Sequence, residues 1–210
     1  MKGLFVDFDG TLVESLPYLK AAYYDFLQAY GIPGSESEFE LLNGPTLYEV
    51  VSYLKNKYQI QKEKQELYDK YTQRLLFLYS QEMQPLPDIR EALITAKLKG
   101  WKIVLVTSNR SAWVDPFLER NNMSFFFDHK VFCKEGESGK PSPAVYLRAL
   151  SETGIQPQDA IAIEDAVSGI QSALTAGLTP IWLGKTSPIT NEKWIPAPDW
   201  LHIQQLLKEM

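Results

Sequence analysis

Apolar and polar positions along this chain of 210 residues alternate between two kinds of segment. Short apolar runs end abruptly in polar turns: Gly3-Leu4-Phe5-Val6 stops at Asp7-Phe8-Asp9-Gly10-Thr11, Lys102 to Val106 at Thr107-Ser108-Asn109, and Ala160 to Ile163 at Glu164-Asp165. His129 to Cys133 leads into a polar loop ending at Gly139-Lys140-Pro141, and a fifth run, Thr179 to Leu183, stops at Gly184. An apolar run bounded by turn residues is the pattern of a parallel strand buried on both faces. Between the runs lie sets at helical spacing: Ile89, Leu93, Ala96 and Leu98 before Gly100; Val145, Leu147, Ala149 and Leu150 before Gly154; Ile170, Ala173 and Leu174 before Gly177. Glycine just past the last periodic position is a helix stop. Strands alternating with such helices predict an α/β fold, a doubly wound, Rossmann-like parallel sheet.

The stretch from Leu16 to Met83 breaks the alternation. Leu19, Ala22, Tyr23, Phe26, Leu27 and Tyr30 follow a helical period before Gly31. Leu47, Val50, Val51 and Leu54 form a second amphipathic set, and Leu67, Tyr68, Tyr71, Leu75 and Leu78 a third. The pattern predicts an all-helical insertion directly after the first strand, with Pro85-Leu86-Pro87 marking the return. The expected division is a core of 1–14 and 84–210 and a helical unit of 15–83.

Composition narrows the function. With 45% hydrophobic and 22% charged residues the chain supports a real core. A net charge of -5, spread along the chain, lacks the basic footprint of a nucleic-acid binder. One cysteine, Cys133, and two histidines, His129 and His202, exclude an internal disulfide, a thiolate zinc cage and a multi-histidine metal site. The apolar start, Leu4 to Val6, is broken at once by Asp7 and Asp9, so it serves neither as a signal core nor as a membrane span. A cytoplasmic protein with no membrane partner is expected.

In an open parallel sheet, ligands bind at the carboxyl ends of the strands, and every polar cluster named above falls at such an end. Asp7 and Asp9 offer a nucleophilic carboxylate with a second carboxylate two residues on, fit for general acid and then base work, and Gly10 lets the backbone turn sharply. A calcium loop is excluded, because no helix precedes the pair and Tyr18 stands where the twelfth-position glutamate belongs. Thr107-Ser108-Asn109 reads either as a cradle for phosphate oxygens or as a helix start. Lys140, flanked by Gly139, Pro141 and Pro143, is either a solvated charge or a cation aimed by a fixed loop at the carboxylates. Glu164-Asp165 reads as first-turn capping or as a hard-cation site.

In chain order these clusters resemble the haloacid dehalogenase superfamily of aspartate-nucleophile phosphotransferases. Asp7-Phe8-Asp9-Gly10-Thr11-Leu12 is similar to its first motif, Thr107 to its second, Lys140 to its third and Glu164-Asp165 to its fourth. Gly169-Ile170 through Ala176-Gly177 matches the stretch that follows the fourth. The helical insertion resembles the cap of phosphoglycolate phosphatases and beta-phosphoglucomutases. The resemblance implies an Mg²⁺-dependent phosphatase acting on a small phosphomonoester, with Asp7 as nucleophile and Asp9 as acid and base. It further implies Thr107, Ser108, Asn109 and Lys140 on the phosphate, and Asp7, the Asp9 carbonyl, Glu164 and Asp165 on the metal. A small phosphorylated metabolite is the implied partner and a monomer the expected state. Ala144, Ala166 and Asp88 depart from common family residues at positions without chemistry. A sugar-phosphate mutase is the alternative, but Leu19 and Leu47 stand where an ungapped count places the mutases' cap histidine and phosphate-gripping arginine. Tyr18, Lys20, Asn43 and Thr46 are polar positions of the cap that give no readable substrate code, and Trp194 and Trp200 are expected to pack.

Overall fold

The computed structural model describes residues 2–42, 44–134, 136–184 and 194–210. Strand β1 (Gly3–Val6) is followed by helices α1 (Leu16–Gln28), α2 (Glu36–Leu41), α3 (Leu47–Tyr58) and α4 (Lys64–Phe77), the last running into a π-helical turn at Leu78–Glu82. Then come α5 (Ile89–Leu98), β2 (Lys102–Thr107), α6 (Ser111–Arg120), β3 (His129–Phe132) and α7 (Ala144–Thr153). β4 (Ala160–Glu164), α8 (Val167–Thr175), β5 (Thr179–Leu183), β6 (Ile195–Ala197) and α9 (Trp200–Glu209) complete the order.

Six strands form one sheet in the order β3-β2-β1-β4-β5-β6, and every pairing is parallel. The first strand therefore lies inside the sheet with β2 and β4 beside it, and its four residues are all buried. Side chains alternate across a strand, so Leu4 and Val6 pack with Leu93, Phe117 and Ile203 on one face, while Phe5 packs with Val145, Tyr146 and Ala173 on the other. Both faces are covered by helices, which is what a doubly wound sheet requires. Five apolar runs were expected as strands; the structure adds β6, too short and proline-bearing (Ile195-Pro196-Ala197) to show an apolar run.

Leu98 and Leu147, counted in the apolar helical sets, are instead 84% and 49% exposed. At 3.6 residues per turn, Leu98 lies about 180° around the helix from Ile89. Asp88 stands at the start of α5 with a positive φ of 61°, a left-handed conformation that glycine adopts more readily than aspartate.

The helical segment leaves and rejoins the sheet region side by side. Glu14 N–H donates to the Gln84 carbonyl at 2.9 Å, and Leu86 N–H to the Leu12 carbonyl at 3.0 Å. Helix α1 starts with proline in its first turn, where no intrahelical N–H is needed. Helix α3 opens with a capping box: Thr46 Oγ1 accepts from Glu49 N–H, and the Glu49 carboxylate accepts from Thr46 N–H at 2.8 Å. Helix α2 carries a buried acid, Glu38, which accepts hydrogen bonds from the Tyr23 hydroxyl, the Tyr58 hydroxyl at 2.8 Å and Lys57 Nζ at 2.6 Å. Burial raises the Glu38 pKa, but these three donors outweigh it and the net shift is downward. Among the described residues no helix is long and apolar enough to cross a membrane.

Candidate active site

The central strand delivers Asp7 at its carboxyl end, and the neighbouring strands bring Thr107 and Glu164 beside it. Lys140 arrives from the loop between β3 and α7. Asp7, Thr107, Lys140 and Glu164 are 8%, 2%, 3% and 1% exposed, a concentration of charge that needs internal partners. Lys140 supplies them. Its Nζ lies 2.5 Å from Asp7 Oδ1 and 2.6 Å from Glu164 Oε1, and it donates to the Val106 carbonyl at 3.2 Å. Burial alone would lower the lysine pKa, yet the charges of Asp7 and Glu164 reverse that and raise it, so the ammonium form is secured. Glu164 also accepts from the buried Tyr146 hydroxyl.

Asp9 faces a different environment. The Tyr79 hydroxyl donates to its Oδ1 at 2.6 Å, and Asn109 Nδ2 donates to its Oδ2. Burial is the largest influence and, with the Asp7 charge, pushes the Asp9 carboxyl up to about 7 against the opposing Tyr79 bond. Tyr79 is set by the π-helical turn, a wide turn often found at functional sites, and its ring stacks on Trp113 with centroids 6.1 Å apart.

Carboxylate oxygens of Asp7, Glu164 and Asp165 lie within 4.8 Å of one another. Thr11 Oγ1 donates to Asp165 Oδ1 at 3.2 Å and fixes that side chain. Two glycines make room for the cluster. Gly10 has a φ of +70°, and a Cβ there would collide with Asp165 Oδ2, while a Cβ on Gly169 would collide with Glu164 Oε2. The donor set is all hard oxygen, and one lysine faces three acids. Burial, followed by the charges of Asp7 and Glu164, drives the Asp165 pKa well above its ordinary value. These three facts fit a small divalent cation such as Mg²⁺, which prefers oxygen ligands and offsets such crowding. The Asp9 side chain is outside this cluster.

The remaining residues expected on phosphate are close by. Thr107 Oγ1 accepts from Asn109 N–H at 3.0 Å, and Ser108 Oγ accepts from Lys140 N–H at 3.3 Å. The Asn109 amide is turned to Asp9 and to the Tyr79 oxygen at 3.1 Å. Helix α6 starts after Arg110, and neither Ser108 nor Asn109 is its N-cap; helix α8 is capped by Ala166 with no side-chain bond. Of the polar insertion residues, Lys20 pairs with Glu36 and Thr46 caps α3, while Asn43 lies outside the described residues. Tyr79 and Tyr146 were not among the residues expected from sequence. No sequence signal singles them out, because a tyrosine there carries the same pattern as any core aromatic.

The site opens into a cavity of about 110 Å³ bounded by Asp7, Asp9, Lys140 and Asp165 below and by the helical segment above, Leu19 and Leu47 included. The two halves touch at Gly139, whose N–H donates to Glu49 Oε2 at 3.1 Å. A Cβ on Gly139 would lie 2.7 Å from the Thr46 nitrogen. Arg110 also lies over the Tyr68 ring, 5.2 Å from its centroid.

A family model for haloacid dehalogenase-like hydrolases matches residues 4–183. A phosphorylated carbohydrates phosphatase of Thermotoga maritima is 28% identical over 182 residues, covering 87% of this chain and 84% of the relative. A beta-phosphoglucomutase of Bacillus subtilis is 29% identical over 198 residues, covering 90% and 86%. The crystal structure of a beta-phosphoglucomutase from Clostridium difficile superposes with a TM-score of 0.83 at 22% identity, covering 100% of this chain and 98% of that one.

Proposed function

The chain belongs to the haloacid dehalogenase-like hydrolase family, and we propose from that premise that it is an Mg²⁺-dependent phosphatase with Asp7 as nucleophile. The observation that carries this reading is the buried Lys140 ammonium, 2.5 Å from Asp7 at the end of the central strand. A carboxylate approaching a phosphate dianion is repelled by about 4 kcal/mol per pair of unit charges at roughly 4 Å and an effective dielectric near 20. Lys140 offsets part of that repulsion and aims the Asp7 oxygen.

Asp7 would attack phosphorus as the ester P–O bond breaks, and Asp9 would give its proton to the departing alcohol. The resulting aspartyl phosphate would be cleaved by water, which loses a proton to Asp9 and releases inorganic phosphate and free Asp7. Tyr79 and Asn109 hold Asp9 in place, and burial brings its pKa near neutrality, where both transfers are accessible. The Thr107 hydroxyl, Ser108, Asn109 and Lys140 are assigned to the phosphoryl oxygens, for which an Asn109 donor would have to leave Thr107, Asp9 or Tyr79. Asp7, Glu164, Asp165 and the Asp9 carbonyl would hold Mg²⁺, which when bound supplies positive charge beside the phosphoryl group. Residues 15–83 act as a cap over a core of 1–14 and 84–210, and the side-by-side exit and return at Glu14 and Leu86 suit a hinge. The same reading takes the enzyme as a cytoplasmic monomer using a small phosphorylated metabolite.

A sugar-phosphate mutase is the competing reading, favoured by the 29% identity to the Bacillus subtilis beta-phosphoglucomutase. Hydrolysis is preferred because Leu19 and Leu47 present only apolar groups to the cavity. Phosphate release from a panel of primary phosphomonoesters, with and without Mg²⁺ and beside Asp7→Asn, tests the assignment. Release requiring both the metal and Asp7 is expected; an Asp7→Asn variant that retains most of its activity refutes the covalent mechanism.

A further inference from the structure

Among the described residues, every charged group that lines the catalytic cavity comes from the sheet side: Asp7, Asp9, Lys140, Glu164 and Asp165. The helical side is different. Leu19, Phe39, Leu42, Leu47, Val50 and Leu75 face the cavity, and no Lys, Arg or His of the helical segment lines it among the described residues. Three tyrosines of that segment reach it, and two are engaged. The Tyr23 hydroxyl donates to Glu38 and accepts from Ser35 N–H at 3.0 Å, and the Tyr79 hydroxyl donates to Asp9. Tyr71 is 6% exposed and stacked on Phe26 with centroids 4.8 Å apart at 15°, and its hydroxyl has no hydrogen-bond partner among the described residues.

Once phosphate is seated on Lys140, the rest of the substrate must occupy this apolar space. A second phosphate or a carboxylate would lose its water there with no cation to replace it. A polyol would leave most of its hydroxyls unpaired. An aryl or branched-alkyl group would fill the space, and one donor or acceptor on it could pair with the Tyr71 hydroxyl, which has no other partner among the described residues.

We propose that the substrate is the phosphomonoester of a small, uncharged arylalkyl alcohol bearing one polar group, and that Tyr71 selects it by a hydrogen bond to that group. This rests on the phosphatase reading above and adds the identity of the leaving group. Water cleaves the ester to the free alcohol and inorganic phosphate, with no other reactant.

The test compares kcat/KM with Mg²⁺ on four esters of primary or similarly basic alcohols: 2-phenylethyl phosphate, 2-(4-hydroxyphenyl)ethyl phosphate, glucose 6-phosphate and phosphoglycolate. Matching the alcohols removes leaving-group reactivity as a cause of preference. The arylalkyl esters are expected to exceed the other two by about a hundredfold, and the ring hydroxyl to add about tenfold. Tyr71→Phe keeps the stacking and is expected to bring the ratio between the two arylalkyl esters close to one. Leu47→Arg is expected to raise the rate on phosphoglycolate relative to 2-phenylethyl phosphate. Mg²⁺-dependent release that favours glucose 6-phosphate or phosphoglycolate overturns the substrate class while leaving the phosphatase standing. An arylalkyl ratio unchanged in Tyr71→Phe overturns the role of Tyr71, and no release from any of the four esters overturns both readings.

Discussion

Glu49 joins two tasks in one carboxylate oxygen, and replacing it with alanine separates them. Its Oε2 accepts from Thr46 N–H at 2.8 Å and from the Thr46 hydroxyl at 2.7 Å, which closes the capping box of α3. The same oxygen accepts from Gly139 N–H at 3.1 Å, one residue before Lys140. Loss of a cap destabilises a helix by about 1 kcal/mol. The bond from Gly139 is made to a charged acceptor in a half-buried setting, and such bonds contribute about 1.5 kcal/mol. Glu49→Ala should therefore lower stability by roughly 2–3 kcal/mol, whereas Thr46→Ala, which spares the Gly139 contact, should lower it by about 1. The difference of about 1.5 kcal/mol acts where the helical segment meets the Lys140 loop, so it should also appear as about a tenfold larger fall in kcat/KM for Glu49→Ala. Urea unfolding followed by tryptophan fluorescence gives the first quantity and initial rates of phosphate release give the second. Glu49→Gln, which keeps a neutral acceptor, should fall between. If Glu49→Ala and Thr46→Ala reduce kcat/KM equally, the Gly139 contact has no part in closing the site.

Two further outcomes follow from other contacts. Gly169→Ala should raise the Mg²⁺ concentration for half-maximal activity by about tenfold or more, because the new methyl displaces the Glu164 carboxylate; an unchanged half-saturation would rule Glu164 out of the metal site. Glu38→Gln should destabilise the protein by about 2 kcal/mol at pH 7, since the buried Tyr23 hydroxyl loses a charged acceptor. The folded pKa of Glu38 is depressed, so its contribution is present above the ordinary value near 4.5 and fades as pH falls through the folded value. Urea midpoints of the two proteins should thus converge in acid, and a gap that stays constant from pH 7 to pH 3 would contradict this account.

The sheet and the acidic centre were legible because each strand announces itself twice, by an apolar run and by the polar residues at its end. Asp7, Thr107 and Glu164 stand at such junctions. The Gly and Pro neighbours of Lys140 left it open between a solvated charge and an aimed cation, and only the family resemblance brought it to the site. Tyr79 and Tyr146 were not legible, since a tyrosine on a helical stripe carries the same pattern as any core aromatic. Only the fold shows that their hydroxyls end at Asp9 and Glu164. Strand β6 was invisible because three residues carry no period. Leu98 and Leu147 misled because leucine is apolar on whichever side of a helix it falls. The character of the cavity wall was hidden for a similar reason: Leu19, Leu47 and Val50 look like packing residues until the sheet is placed opposite them.

The placement of β1 inside the sheet has a consequence for when the protein becomes active as it is made. The first strand is synthesised more than a hundred residues ahead of its neighbour β4, by the numbering of Gly3–Val6 and Ala160–Glu164. Beyond that, the Trp200 indole donates to the Thr11 carbonyl at 2.7 Å, bracing the turn that carries Asp9 and Gly10. A nascent chain therefore carries its proposed nucleophile well before the acids and the brace that would arm it. The proposed centre is complete only once the segment bearing Trp200 has folded back onto the turn that follows the first strand.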